Sequence, residues 1–105
     1  MEYEFDAELW KWDARRADTW VFVSLPTEVA DEILELAAPV ARGFGSVRVE
    51  VSVGGTAWRT SIFPDDKAGT YVLPIKRAVR VAAGLDVGDV ARVRLELVDL
   101  ATPEP

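Results

Sequence analysis

Hydrophobic and polar residues alternate along much of this chain, and the alternation predicts a fold made mainly of β-strands. Every second residue is apolar over 3–9, and valine takes every second position over 47–53. A period of two places alternate side chains on opposite faces, so both segments are predicted to be half-buried strands. The inward positions are predicted to be Tyr3, Phe5, Ala7, Leu9, Val47, Val49, Val51 and Val53.

Four more strands are predicted from residue type and alternation. β-Branched and aromatic residues are frequent over 19–25, 56–63 and 70–73, and 90–100 alternates again. Gly54-Gly55 lies between two of the predicted strands and indicates a tight hairpin. The polar segments 13–18 and 64–69 are rich in turn-forming residues, so we expect a turn or loop at each.

Two short helices are predicted between the strands. The first covers 28–38, before Pro39, and the second covers 75–83, where Gly84 provides a C-terminal stop. Helical spacing predicts an apolar face on the first helix. Its members are Val29, Ile33, Leu34 and Ala37.

The order of elements repeats. Each half of the chain is predicted to run strand, loop, strand, proline, helix, glycine-bearing turn, strand, with Pro26 and Pro74 at matching places. Each half alone would leave an apolar sheet face exposed, and pairing the halves would bury both. The pattern therefore predicts a pseudo-twofold fold, with one domain over 1–100 and a loose tail over 101–105.

The second half resembles the swapped-hairpin transcription factors of the AbrB and MazE antitoxin type. The similar residues run from Leu73-Pro74-Ile75-Lys76 through Arg80 to Gly84-Leu85-Asp86-Val87-Gly88-Asp89. The whole chain is similar to a bacterial family known only as a domain of unknown function, through Trp20, Pro26, Gly55, Trp58, Arg59, Ser61, Pro64, Gly69, Leu73, Lys76, Arg80, Gly88 and Asp89. The resemblance implies a double-split β-barrel, mainly β with two short helices. It implies no activity.

The amino-acid composition limits the catalytic and metal-binding chemistry that this chain can perform. The chain has no cysteine and no histidine, which excludes disulfides, thiolate chemistry and the side chain best suited to proton transfer near neutral pH. The sequence offers no paired carboxylates either, so we expect no enzymatic activity, no cofactor and no metal site. No targeting segment or long apolar run is visible, so we expect a cytoplasmic protein without a membrane partner.

A basic cluster is the strongest candidate for a binding site. Lys76, Arg77 and Arg80 follow helical spacing, and Arg59 on the preceding hairpin can join them. These side chains could hold an anionic small molecule or an acidic peptide segment, over a floor made of Trp58 and Tyr71. The other interpretation, which the residues alone favour, is a solvated helix face paired with Asp65, Asp66 or the acidic first strand.

Three other features have structural interpretations that we favour over functional ones. Trp20 and Trp58 are predicted in the core and Trp10 or Trp12 as a cap, with a ligand pocket as the alternative. The acidic stripe on the first strand is predicted to be a solvated face rather than a metal site. Its members are Glu2, Glu4, Asp6 and Glu8. The resemblance to the AbrB-type barrels implies that Gly88-Asp89 is a structural turn in which the carboxylate caps neighbouring amides.

The net charge of the chain affects which class of partner we expect. The net charge is −6, and the first 50 residues hold 11 acidic against 5 basic side chains. Nucleic-acid binding, the function by analogy with AbrB-type barrels, therefore ranks behind an anionic small molecule or a protein partner. The acidic first helix and the basic second helix could also favour head-to-tail association. The identity of the partner stays open at this point.

Overall fold

The computed structural model describes residues 2–12, 20–37 and 45–98. Over these ranges the chain is mainly β with two helices, as the sequence predicts. The elements are β1 (Glu2–Glu8), β2 (Trp10–Trp12), β3 (Trp20–Ser24), α1 (Thr27–Ala37), β4 (Val47–Val53), β5 (Thr56–Asp65), β6 (Thr70–Pro74), α2 (Arg77–Ala83) and β7 (Val90–Leu97). Neither helix of this described part is long and apolar enough to cross a membrane. The turn expected at 13–18, Pro39 and the tail at 101–105 lie outside it.

All seven strands belong to one antiparallel sheet in the order β1-β7-β4-β5-β6-β3-β2. The two outer strands, β1 and β2, are consecutive in the chain with only Leu9 between them. The sheet therefore curls into a half-barrel whose two ends meet at this residue. The Leu9 side chain is fully buried, its N–H donates to the Asp89 carbonyl at 2.9 Å, and its carbonyl accepts from the Gly88 N–H at 2.8 Å.

Strands from the two halves of the chain pair with each other. β3 and β6 each precede a helix and pair with one another, and β4 and β7 each follow a helix and do the same. β5 pairs with β4 over its first part and with β6 over its last three residues. The β1–β2 segment divides in the same way, since β1 pairs with β7 and β2 with β3.

The core confirms the predicted alternation on the central strands. The inward side chains of β1, β4 and β7 form one cluster with residues from β3, β6 and both helices. Burying apolar side chains on one face of each strand is what a curled sheet covered by helices requires. The buried members on these three strands are Phe5, Ala7, Val47, Val49, Val51, Val53, Ala91, Val93, Leu95 and Leu97.

Leu34 is a correction to the predicted face of α1. It is 57% exposed, whereas Ala30, Ile33 and Ala37 are buried. Those three positions follow the i, i+3, i+7 spacing of one helix stripe, and Leu34 lies one residue farther round the helix. The apolar residue type alone therefore gave the wrong edge of the stripe.

α2 begins later than the sequence predicts. Lys76 is its N-cap residue, with extended backbone angles (φ −68°, ψ 157°), and the helix covers Arg77–Ala83. The reason is that the Ile75 N–H donates to the Val21 carbonyl at 2.9 Å, which keeps the chain beside β3 after Pro74. Gly84 ends the helix in the left-handed conformation, as predicted.

β5 also extends farther than expected, because Pro64 and Asp65 pair with Tyr71 and Thr70 rather than forming a loop. Proline removes a backbone donor and is tolerated in strands only where that donor is not needed. The pairing of β5 with β4 ends at Ile62, so Pro64 interrupts no bond to β4. The predicted loop at 64–69 is thus shortened to a turn over 66–69.

Candidate functional site

A cleft of about 530 Å³ lies between α2, β5 and β3. Its volume falls within the range of small-molecule sites, roughly 300–1,000 Å³. The side chains around it are basic, aromatic or apolar, with a single threonine. They belong to Trp20, Val21, Trp58, Arg59, Thr60, Pro74, Ile75, Lys76, Arg77 and Arg80.

Five of the six side chains expected at the binding site border this cleft, and Tyr71 does not. Tyr71 is buried in the core and borders a separate depression beside α1, together with Ala30 and Leu34. Burial raises the pKa of its hydroxyl above the usual value. The residues that the structure brings together are Trp58, Arg59, Lys76, Arg77 and Arg80.

The hairpin between β4 and β5 brings Arg59 to the basic helix. Gly54 and Gly55 both have positive φ, 54° and 84°, which a two-residue hairpin of this type requires. Gly54 also lies directly against Ala83 at the end of α2, since a Cβ on Gly54 would be 2.9 Å from the Ala83 Cβ. Because the hairpin lies in contact with the helix, Arg59 and the basic residues of α2 border the same cleft.

Arg80 has a structural contact in addition to its place in the cleft. Its Nη1 donates to the carbonyl of Ile75, the residue directly before Lys76, at 2.6 Å. The guanidinium therefore fixes the segment that carries the N-cap of α2. Other N–H groups of the five-donor guanidinium are available to a ligand.

The positive charge of the cleft is only weakly compensated. Within the described residues, the side chains of Lys76 and Arg77 have no ion-pair or hydrogen-bond partner. Arg59 Nε lies 3.4 Å from Glu50 Oε2, but both side chains are about half exposed or more, and such pairs are weak. The result is a cluster of like charges along one wall of a concave surface.

The acidic residues that we considered as partners for this cluster lie elsewhere. Asp65 and Asp66 border the depression beside α1, and Asp65 also borders a further cleft on the outer face of β2 and β3. The acidic stripe of β1 is exposed, as predicted, and it pairs with β7: Arg94 Nε is 2.9 Å from Glu2, and Arg92 Nη1 is 3.2 Å from Asp6. No ion pair between these acids and the cleft is found among the described residues.

Trp20 was predicted in the core, and this prediction is wrong. The side chain is 53% exposed, because the inward positions of β3 are Val21 and Val23. Trp20 therefore points outward, where it borders the basic cleft. Trp58 is partly buried and packs against the core, as predicted. The alternation through Val21, Val23 and Leu25 was the pattern that could have identified Trp20 as a site residue.

A second cleft of about 490 Å³ adjoins the first on the outer face of β2 and β3. Trp20 borders both clefts. Trp10 and Trp12 both border this cleft. Their role as a cap and the pocket alternative both stay predictions. The residues around the second cleft are Trp10, Trp12, Trp20, Phe22, Pro64, Asp65, Lys67 and Val72.

The turn at Gly88-Asp89 and the acidic side chains, the other polar features considered, have structural roles. Gly88 has a φ of 94°, and Asp89 Oδ2 accepts from the Asp86 N–H at 2.9 Å, which confirms the predicted capped turn. Across the described ranges, no three acidic side chains lie close enough together to hold a metal ion. Basic and aromatic side chains around the first cleft thus remain the principal binding chemistry.

Residues 5–95 match the sequence model of the family described as Domain of unknown function (DUF1905). The matched range includes every residue that borders the basic cleft. No curated protein matches the chain.

Proposed function

The chain belongs to the DUF1905 family, and from this premise we propose that it is a binding module for an anionic ligand. The ligand is an anionic small molecule or an acidic peptide segment, and it occupies the cleft between α2 and β5. Binding rather than catalysis is proposed, because the chain has neither histidine nor cysteine.

One observation carries the proposal: four cationic side chains border one cleft, and none of the described residues around it is acidic. A concave surface of one charge sign focuses its field and attracts ions of the opposite sign. Arginine adds a planar fork of donors that matches carboxylate and phosphate oxygens. The four cations are Arg59, Lys76, Arg77 and Arg80.

The four side chains have different roles in the proposed complex. Lys76 and Arg77 make the main contacts, because no described side chain competes for them. Arg59 exchanges its exposed pair with Glu50 for the ligand, a change that loses little. Arg80 holds the segment before α2 through the Ile75 carbonyl and adds positive charge.

We also assign the half-barrel to the double-split β-barrel class, with a pseudo-twofold relation between the two halves of the chain. The support is the pairing of β3 with β6 and of β4 with β7, together with the proline and helix that follow β3 and β6. This is the arrangement that the AbrB-type resemblance implies.

Nucleic-acid binding ranks below the proposed function, because the two helices that the pseudo-twofold relation would match carry opposite charges. Where α2 begins with basic residues, α1 presents acidic and exposed side chains. A symmetric basic face would need cations from both helices, and here one helix repels phosphate. The exposed acids of α1 are Glu28, Asp31, Glu32 and Glu35.

Calorimetric titration tests the proposal. The wild type is titrated with inorganic phosphate, citrate, hexaglutamate and a short DNA duplex, beside the variant Lys76→Ala/Arg77→Ala. We expect at least one anion to bind, and the variant to bind it about tenfold more weakly, because charge-assisted hydrogen bonds are lost. Lys11→Ala is the matched control, since Lys11 is exposed and borders neither cleft.

Arg80 is left intact in this experiment because its bond to Ile75 would mix stability with affinity. Equal binding of every anion by the wild type and the double variant would contradict the proposal. Tightest binding of the duplex, with an affinity that falls steeply with salt, would move the function to nucleic acid.

A further inference from the structure

We propose that the anionic ligand also carries a planar aromatic ring, and that its class is the nucleoside monophosphates. The phosphate occupies the basic cleft, and the base stacks on the aromatic side chains of the second cleft. This inference rests on the proposed function, because it names the ligand class for the same site.

The two clefts share one bordering side chain. Trp20 borders the basic cleft beside Arg59 and Lys76, and it also borders the aromatic cleft beside Trp12. A small molecule that occupies both clefts needs an anionic group for the basic cleft. It also needs a flat, apolar group for the aromatic cleft. Nucleoside monophosphates have this composition: one phosphate, one sugar and one planar base.

An aromatic platform, consisting of Trp10, Trp12, Trp20 and Phe22, forms the second cleft. The register of β2 and β3 places Trp10 opposite Phe22 and Trp12 opposite Trp20, so all four side chains share one face. The ring centroids of Trp10 and Phe22 are 5.2 Å apart, and those of Trp20 and Phe22 are 6.1 Å apart with planes at 18°. The Trp20 and Phe22 rings are thus stacked.

The platform is both exposed and held in place. Trp12 is 52% exposed and Trp20 is 53% exposed, so two large ring surfaces face solvent. The Trp10 Nε1 donates to Ser24 Oγ at 2.9 Å, which fixes the orientation of the ring at the base of the platform. A fixed aromatic surface binds a flat partner with a smaller entropic penalty than a mobile one.

Charge and shape favour a mononucleotide over the other ligands of the proposed site. An acidic peptide would use the cations but would leave the exposed tryptophans of the platform without a ring partner. A nucleic-acid strand would carry further phosphates past a protein with a net charge of −6. One phosphate beside one base uses both clefts and brings no further phosphate.

Calorimetry with adenosine 5′-monophosphate, adenosine, inorganic phosphate and hexaglutamate tests the inference. We expect the monophosphate to bind the wild type at least about tenfold more tightly than either phosphate or adenosine, since base stacking adds to the anion contacts. Trp12→Ala should reduce the affinity for the monophosphate about tenfold and leave the affinity for phosphate unchanged. Trp12 is half exposed and borders only the aromatic cleft.

Phe63→Ala is the matched control, because Phe63 is an exposed aromatic residue that borders neither cleft. It should leave the affinity for the monophosphate unchanged, with the fold of each variant verified by circular dichroism. If phosphate binds and depends on Lys76, but the monophosphate binds no more tightly, the inference fails and the proposed function stands. Tighter binding of hexaglutamate has the same meaning. If no anion binds, both fail.

Discussion

The Thr70 hydroxyl donates a hydrogen bond of 2.8 Å to the Leu25 carbonyl, joining the start of β6 to the end of β3 across 45 positions of sequence. The Leu25 N–H in turn donates to the Tyr71 carbonyl at 3.0 Å. Thr70 is the one buried polar side chain found in the described ranges. This contact therefore fixes the junction between the two halves of the chain.

Replacing Thr70 with valine keeps the shape of the side chain and removes the donor. The buried Leu25 carbonyl then loses a hydrogen bond, so we expect the free energy of unfolding to fall by about 1–2 kcal/mol. Urea denaturation monitored by tryptophan fluorescence measures this change. Thr56→Val is the matched control, because Thr56 is partly exposed and should change stability by less than about 0.5 kcal/mol. Equal effects of the two substitutions would show that the hydroxyl of Thr70 is not stabilising.

Gly54→Ala should destabilise the protein more than Gly55→Ala. Both positions have positive φ, so alanine is strained at each by about 1 kcal/mol. Only at Gly54 would the added Cβ also collide with Ala83 at 2.9 Å, since nothing lies within 4 Å of a Cβ at Gly55. A double-mutant cycle with Ala83→Gly measures the collision as a coupling energy. A coupling of zero would mean that hairpin and helix do not constrain each other.

Arg80→Ala should lower stability, whereas Arg77→Ala should not. Arg80 supplies the 2.6 Å bond to the Ile75 carbonyl, and a charged donor of this kind contributes about 1–2 kcal/mol. Arg77 has no described side-chain partner and is exposed, so its loss should change stability by less than about 0.5 kcal/mol. Thermal and urea unfolding of the two variants without ligand make the comparison. The reverse ranking would contradict the structural role of Arg80.

Tyr3 makes stability depend on pH in the alkaline range. Burial, followed by the negative charge of Glu32, raises the pKa of its hydroxyl above the usual value. Because the folded pKa is the higher one, the contribution to stability is complete below pH about 10 and is lost as pH rises through the folded pKa. Urea unfolding from pH 8 upward should show this fall, and it should be shallower in Tyr3→Phe.

The same substitution has a second expected result near neutral pH. No hydrogen bond of acceptable geometry reaches the buried Tyr3 hydroxyl from the described residues. Its removal should therefore leave the free energy of unfolding unchanged or raise it by up to about 1 kcal/mol. Glu32→Gln serves as the control for charge, because it removes the carboxylate and keeps the hydroxyl. A clear loss of stability at neutral pH in Tyr3→Phe would indicate a partner for this group.

The inward faces of the strands were predictable because the alternation in them is local. In β4, the alternation over Val47–Val53 is enough to identify the side chains that face the core. The alternation in β7 does the same. The apolar face of α1 was only partly predictable, because Leu34 is apolar by type and yet lies at the exposed edge of the stripe. The extension of β5 through Pro64 depends on the end of its pairing with β4, which no local pattern encodes.

The candidate site was predictable in its charge and not in its aromatic wall. Helical spacing indicated Lys76, Arg77 and Arg80, and proximity in sequence suggested Arg59. Trp20 was assigned to the core because tryptophan is large and apolar, although the alternation of β3 points it outward. Tyr71 lies in a strand whose central residues are buried throughout, so its neighbours gave no indication of which side it faces.

The pairing of β1 with β7 also sets the order of events during synthesis. Glu2 lies opposite Glu96 in this ladder, so the first strand leaves the ribosome roughly 5–20 seconds before its partner. Throughout that interval β1 has an open edge that could pair with another nascent chain. The exposed carboxylates of β1 form their ion pairs with Arg92 and Arg94 only once β7 has been synthesised. β1 stays an outer strand of the completed sheet, and charged side chains on such a strand oppose edge-to-edge pairing with another molecule.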